Sequence, residues 1–600
     1  MYTATSRRGL AAFLAPVLLI LAASDLAAQS SIVRFDLGEY PNAVAILEAT
    51  GFDPHHEAAS YAPVGSFDLV VPDSDLLRLA ELGMDFLVVE QSISMNDYVN
   101  LVDAPAAQFY DWGELEAEMA ALAVQYPGIA TKVDLTALTG APMTHEGRHI
   151  SALKISDNVA SDEDEPNLLY VGNHHAREIA TPAHMVQWMR DLCAGYGSDP
   201  QVTAAVDGNE IWVIPTLNPD GLEHVWNVDQ YWRKNRRNNG NGTWGVDLNR
   251  NYPFDWAACG SYSYSGGSQT YVGPSAGSEP ETQTLMGLAR QRRFAKVIDI
   301  HQSGREVLYP YACSSMPSAA RDKVIEMRDT LASAANYSHR PPSAGGEHFE
   351  WEFAEIGALS YLIELNTTFF PTWSSFQSEY ARVKPAYEAM LFEPLPAAGH
   401  VYDAATGAPI DDADIAIAGV NWSNGETRGS GGGFGRWALW LRDGLWNATV
   451  DAPGYASQVL ALETSGAGET LDVWLQPLSG PTLTTLTPPT AGSTFQFAVD
   501  NAATWAGGRA HIVLSSTDGG PFSVGTPIAG GFTVPIVQDS VTNWSQAQSA
   551  LRPLIGGNGT AYTLPVLVPP TVSGWSIWAS AVIVQGGVQA VTPALPFVVQ

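Results

Sequence analysis

Between Phe109 and about Leu395, strand-like runs alternate with helical ones, and this alternation constrains the chain more than any other feature. The strand-like runs are NLLYVGN, IWVIPTLN, FAKVIDIH and LSYLIEL; between and around them lie TPAHMVQWMRDL and EPETQTLMGLARQRR, with apolar residues at helical spacing. Strand and helix in turn predict an α/β domain with a mixed, largely parallel sheet flanked by helices. After LFEPLPAAG the helical spacing stops, and Gly- and Pro-punctuated β segments follow. Six hundred residues exceed what one hydrophobic core can use, so several domains are expected.

The boundaries follow the composition. Residues 1–28 carry Arg7 and Arg8, an apolar run from Leu10 to Ala23 and small residues through Ala28, the three-part pattern of a secretory signal peptide. That run is short of the about 20 residues a spanning helix needs. The expected location is therefore secreted or extracellular, with the periplasm or cell surface as variants. Residues 29–105 read as a small α/β unit with a helical pattern at Asp73–Leu82, 106–395 as the α/β domain, and 396–477 and 482–600 as two all-β domains joined by SGPTLTTLTPPTAGS. The three cysteines, Cys193, Cys259 and Cys313, allow at most one internal bridge, and Cys259–Cys313 is favoured because these two flank the loop-rich middle. An excess of 63 Asp and Glu over 30 Lys and Arg gives a formal charge of −33, which repels phosphate backbones and anionic bilayers and argues against a nucleic-acid partner.

Chemistry concentrates in the α/β region. In GNHHAREIA, His175 and Glu178 have the His-x-x-Glu spacing by which one turn after a strand offers an imidazole and a carboxylate to the same metal. Alone this spacing is weak, since a surface turn would also show it. FAKVIDIHQSG puts His301 just past another buried strand, where open α/β sheets place their sites. Two histidines and a glutamate make a catalytic zinc set with one position left open. Glu364 ends the apolar run LSYLIEL, where an acid is costly unless paired, bound or functional. Arg233 lies in the basic cluster VDQYWRKNRRNNG. GVDLNRNYPFDW adds Asp247, an acid able to orient an imidazole, and Asn249 with Arg250, a pair able to fork onto a carboxylate.

With these motifs in this order, the segment from about Phe109 to Leu395 resembles the zinc carboxypeptidases of the carboxypeptidase A-like family. EGRHISALKISDN, HHAREIATP, NPDGLEHVW with YWRKNR, GVDLNRNYPF, YVGPSAGSEPET, IDIHQSG with LYPY, and LIELN carry the resemblance. It implies one catalytic Zn2+ on His175, Glu178 and His301, and Glu364 as general base toward an activated water. It also implies Arg233 as the group polarising the scissile carbonyl, Asn249 and Arg250 as the holders of the substrate's terminal carboxylate, Arg177 as a peptide-binding residue and Asp247 as the acid behind the first histidine. The implied substrates are peptide or protein C-termini.

This chain departs from the family at the lid. The family's mobile tyrosine would fall near Pro341 in NYSHRPPSAGGEHFEW, and Tyr337 and His339 are only the nearest polar rings. The pocket-floor segment holds Glu347, His348, Phe349 and Glu350, of which Phe349 favours apolar and the glutamates favour basic side chains, giving an expected mixed preference. Residues 29–105 are similar to short propeptides of secreted bacterial carboxypeptidases, which cover the site until cleaved, or they stay as a permanent domain. GHVYDAATGAPIDDADIAIAG and its sequel resemble a carboxypeptidase regulatory-like, transthyretin-like β-sandwich. Attachment to a cell surface or polysaccharide is a role open to the C-terminal β domains, through Trp505, Trp544, Trp575 and Trp578, although aromatic residues in β cores mostly just pack. Two rival classes stand beside the carboxypeptidase: a zinc amidase acting on peptidoglycan-type peptides, which need not keep Asn249 and Arg250, and a surface binding protein with a reduced-activity enzyme domain, which would be expected to lose ligands.

Overall fold

The computed structural model describes residues 30–97 apart from 51, 53, 55–57 and 60–64, residues 109–478 apart from 467, and strand segments between 482 and 598. The signal-peptide pattern of residues 1–28 lies outside the described residues, as do Trp505, Trp544 and Trp575. Among the described residues no helix is long and apolar enough to cross a membrane.

The first unit is a sheet of β1 (Ser30–Asp36), β2 (Ala58–Ala59), β3 (Ser66–Pro72) and β4 (Leu87–Gln91) in the order β2-β3-β1-β4, all pairs antiparallel. Leu76–Glu81 forms a helix within the stretch predicted to be helical, and Val33, Phe35, Leu47, Leu69, Val71 and Leu79 make a core of their own.

The α/β domain is built on eight strands in the order β11-β10-β12-β9-β7-β8-β6-β5. They are β5 (Ala130–Asp134), β6 (Ser151–Ile155), β7 (Asn167–Gly172), β8 (Glu210–Ile214), β9 (Lys296–Gln302), β10 (Glu306–Leu308), β11 (Ser338–Arg340) and β12 (Leu359–Leu365). The central run β12, β9, β7, β8 is parallel throughout, while β10 with β12, β6 with β8 and β5 with β6 are antiparallel. Every residue of β7, β8, β9 and β12 is buried, as expected of strands covered on both faces. Alternation divides them between two cores. Leu168, Tyr170, Ile298, Ile300, Tyr361 and Ile363 face helices Ala180–Gly195, Ser318–Ala335 and Trp373–Phe392, whereas Leu169, Val171 and Val297 face helix Pro280–Arg292. Cys259 and Cys313 are joined, with Cα atoms 5.7 Å apart, and Cys193 is free and buried.

Residues 397–478 form two three-stranded sheets. They lie against the α/β domain, where the Trp440 indole donates to the Ala295 carbonyl at 3.0 Å. Further on, Thr482–Thr485 pairs with Phe497–Asp500, so part of the segment read as a linker is a strand, and Trp578 stands on strand Ser576–Val584.

Candidate functional site

The turn after β7 is built to present two ligands. Asn173 adopts a left-handed φ of 60°, and its side-chain amide donates to the carbonyls of His175 and Ala176 at 3.0 and 3.3 Å, while Thr216 donates to its oxygen. This clasp holds His175 and Glu178 inward just before helix Ala180–Gly195 begins. His301 sits near the end of β9. Glu364 sits on the neighbouring parallel strand β12, and the two are register partners.

His175 Nδ1 lies 2.7 Å from Glu178 Oε1 and 3.0 Å from His301 Nδ1, and His301 Nδ1 lies 3.2 Å from Glu178 Oε2. All three residues are buried, and their ligand atoms lie within 4.8 Å of one another. Two imidazole nitrogens facing each other at 3.0 Å can share at most one proton, so the pair suits a cation between them. The set is therefore chemically fit for zinc. Burial works against the charge on Glu178, but His175 and His301 outweigh it and hold its carboxyl below the ordinary range.

Asp247 ties this cluster to the substrate side. It caps the short 3-10 turn Leu248–Arg250, its Oδ1 accepting from the Asn249 N–H and from His175 Nε2, each at 3.1 Å. Its Oδ2 accepts from Arg233 Nη2 and Nε at 2.9 and 3.2 Å. Burial would raise the Asp247 pKa, but Arg233 and His175 drive it well below the ordinary range. One carboxylate thus orients a candidate ligand, the candidate carbonyl-polarising arginine and the turn that carries the candidate carboxylate clamp.

The Arg250 guanidinium is fixed by the carbonyls of Ser261 and Asn249 at 2.9 and 2.8 Å and by Glu347 at 3.3 Å. Gly346, at φ +84°, lies so close that a Cβ there would sit 2.9 Å from the Arg250 carbonyl oxygen. The Arg177 guanidinium stacks on Phe369 at 4.6 Å. All nine residues singled out from the sequence are at most 2% exposed.

The lid and pocket residues behave differently. Tyr337 turns its hydroxyl to Glu379, and His339 stands on strand β11, so neither is brought to the site by the contacts it makes. Phe349 packs with Leu308 and Leu362. Glu350 accepts from the Ala312 N–H, and burial with neighbouring Glu347 pushes its pKa well above the carboxylate range.

Sequence reasoning missed a second buried group, His174, Asp299 and His348, directly behind the first. The signal was present for two of them: His174 adjoins His175, and Asp299 precedes His301 by two residues on one strand and so shares its face.

Residues 115–382 match the family described as zinc carboxypeptidase. A zinc carboxypeptidase of Saccharothrix mutabilis subsp. capreolus is 33% identical over 192 residues, 31% of this chain and 42% of that one. Human carboxypeptidase B is 28% identical over 278 residues, 44% of this chain and 64% of that one. A Talaromyces marneffei protein named inactive metallocarboxypeptidase ecm14 is 31% identical over 261 residues, 37% of this chain and 44% of that one. The chain thus spans between 42% and 64% of the length of these three relatives.

Proposed function

We propose that this protein is a secreted zinc metallocarboxypeptidase that hydrolyses the C-terminal peptide bond of peptides or proteins. The observation that carries this reading is the junction at Asp247. A three-residue metal set, a buried arginine and an Asn-Arg clamp meet around one carboxylate, with Glu364 beside His301 in the sheet.

Bound by His175, Glu178 and His301, zinc supplies a Lewis acid to the site. The remaining work belongs to the chain. Arg250 and Asn249 hold the terminal carboxylate and so decide which peptide bond enters the site. Arg233, locked by Asp247, offers positive charge to the carbonyl oxygen as it becomes an oxyanion. Glu364 takes a proton from the attacking water and returns it to the departing amine.

The described part of residues 30–97 fits a covering role. Ile32 and Val70 pack against Tyr231 and Phe369, the latter being the ring beneath Arg177. Ser30 donates to Asp229 at 2.9 Å, Tyr231 donates to Glu90 at 2.8 Å, and Ser261, which supports Arg250, reaches the Phe52 carbonyl at 3.5 Å. We read residues 29–105 as a propeptide, so cleavage between 97 and 109 is expected to raise activity. The Cys259–Cys313 bridge and the signal-peptide pattern agree with export.

The test uses a blocked dipeptide with a free or an amidated C-terminus, with and without a chelator, on chain cleaved between 97 and 109. Chelator-sensitive cleavage of the free form alone is expected, and His175→Ala or His301→Ala should lose most of the zinc. Equal cleavage of both peptides would replace this reading with an amidase or endopeptidase. No cleavage of either would favour a binding protein with a reduced-activity enzyme domain, the case its relative named inactive brings to mind.

A further inference from the structure

Behind the candidate metal set, four ionisable side chains are entirely buried: His174, Asp299, His348 and Glu352. Burying such groups without partners is expensive, so their arrangement has to satisfy them mutually or serve a neighbour. Asp299 is the hub. Its Oδ1 lies 3.1 Å from His174 Nδ1 and 3.3 Å from His301 Nε2, and its Oδ2 lies 3.1 Å from His348 Nδ1. The other ring nitrogen of His348 lies 3.2 Å from Glu352 Oε1, and that of His174 lies 3.1 Å from the Tyr252 hydroxyl. His301 Nε2, His174 Nδ1 and Asp299 Oδ1 make no aligned hydrogen bond among the described residues, so these two approaches to Asp299 are contacts at ion-pair distance.

Building on the zinc reading above, we propose that Asp299 is the positioning residue of His301, and that Glu352 and His348 hold Asp299 in place for that task. A carboxylate beside Nε2 keeps the ring proton on that nitrogen and leaves the Nδ1 lone pair aimed at His175 and Glu178, where the metal set converges. Asp247 meets the same ring nitrogen of His175, there through a hydrogen bond of 3.1 Å. The two histidines thereby have separate carboxylates, one on the 3-10 turn and one on the strand of the histidine it serves.

The chain of supports also reaches the substrate side. The backbone N–H of His348 donates to Asn249 Oδ1 at 2.9 Å, so the residue that braces Asp299 also fixes the amide of the carboxylate clamp. Its two roles use different atoms: the ring serves the metal side and the backbone serves the clamp. They can therefore be separated by mutation.

The experiment uses the full chain and measures zinc affinity by competition with a chromogenic chelator, for wild type, Asp299→Asn, His348→Gln and Glu352→Gln. Asp299→Asn should weaken zinc binding by about 10- to 100-fold, and the other two by smaller factors in the same direction. In the cobalt(II)-substituted Asp299→Asn protein the visible ligand-field bands should shift. His348→Gln keeps its backbone N–H to Asn249, so its effect should fall more on zinc affinity than on KM for a peptide with a free C-terminus. Unfolding of the metal-free proteins separates positioning from scaffolding: the variants should lose much more zinc affinity than metal-free stability. Unchanged zinc affinity and cobalt spectrum in Asp299→Asn, with wild type binding zinc, would overturn the proposal alone. Wild type that binds no zinc would overturn the metallopeptidase reading with it. Two zinc ions per wild-type chain, one of them lost in His348→Gln, would also overturn it, showing His174, Asp299 and His348 to be a second metal site.

Discussion

Replacing Arg250 by methionine tests the clamp and can be worked out from the contacts around it. The guanidinium is fully buried and held by Ser261, Asn249 and Glu347, so it is preorganised before any substrate arrives. Two charge-assisted bonds to a terminal carboxylate, at about 1.5–3 kcal/mol each, amount to about 3–6 kcal/mol, or about 10²- to 10⁴-fold in kcat/KM. The same substitution takes the cation away from Glu347, which is itself buried, so stability should fall by an amount on the order of 3 kcal/mol. The double variant Arg250→Met with Glu347→Gln separates the two effects. It should recover most of the urea midpoint lost by the single variant while its kcat/KM for free C-termini stays at least about 10²-fold down, as the bond count requires. Initial rates on matched free and amidated peptides, with urea midpoints in parallel, provide the assay. If the double variant regained wild-type kcat/KM, the loss would have been structural and the clamp assignment would fall.

Three further outcomes are expected. Glu364→Gln keeps the side-chain volume but cannot accept a proton, so kcat should drop by about 10²–10⁴ with zinc retained; a change of only a few fold would move the base elsewhere. Burial raises the Asp229 pKa from 3.8 to about 6 in spite of hydrogen bonds from Ser92, the Tyr231 N–H and Ser30. The folded state therefore binds the proton more tightly than the unfolded one, and this stabilisation, complete below about 4, is lost as pH rises through about 6. Wild type should thus lose on the order of 3 kcal/mol relative to Asp229→Asn between pH 4 and 7, read from urea midpoints, and a pH-independent difference would refute the burial argument. Replacing Cys259 and Cys313 by serine opens a loop of 54 residues and should cost up to about 4 kcal/mol in midpoint stability, whereas no change would mean the bridge constrains nothing in the unfolded chain.

The parts of the site that were legible in the sequence are those where one local pattern carries both position and chemistry. His175 and Glu178 share a turn, His301 and Glu364 each end a buried apolar run, and Asp247, Asn249 and Arg250 fall within four residues, so strand ends and one turn suffice to bring them together. The alternation that predicted the sheet works for the same reason, since a strand buried on both faces has few alternatives to an apolar run. What stayed hidden depends on long-range packing. His348 lies on a short helix that looked like pocket floor, Glu352 opens the turn that follows it, and only folding turns the His348 ring toward Asp299 on strand β9. Tyr337, one of the two polar rings nearest the expected lid position, is held by Glu379, which Arg305 also meets. Phe349 is claimed by Leu308 and Leu362, strand residues whose inward direction no local spacing announces. The seat of the N-terminal unit on Tyr231 and Phe369 likewise joins residues far apart along the chain.

The pairing of His301 with Glu364 across β9 and β12 has a consequence for how this molecule can change over evolutionary time. Their separation is set by two hydrogen-bonded strands in the middle of an eight-stranded sheet, not by the turn that carries the candidate clamp. Loops can lengthen or change sequence while the distance between the candidate metal ligand and the candidate base stays what the strand spacing makes it. On the proposed reading, substrate range can therefore drift independently of the hydrolytic step, whereas a one-residue slip between β9 and β12 would turn one of the two side chains to the opposite face and leave no local repair.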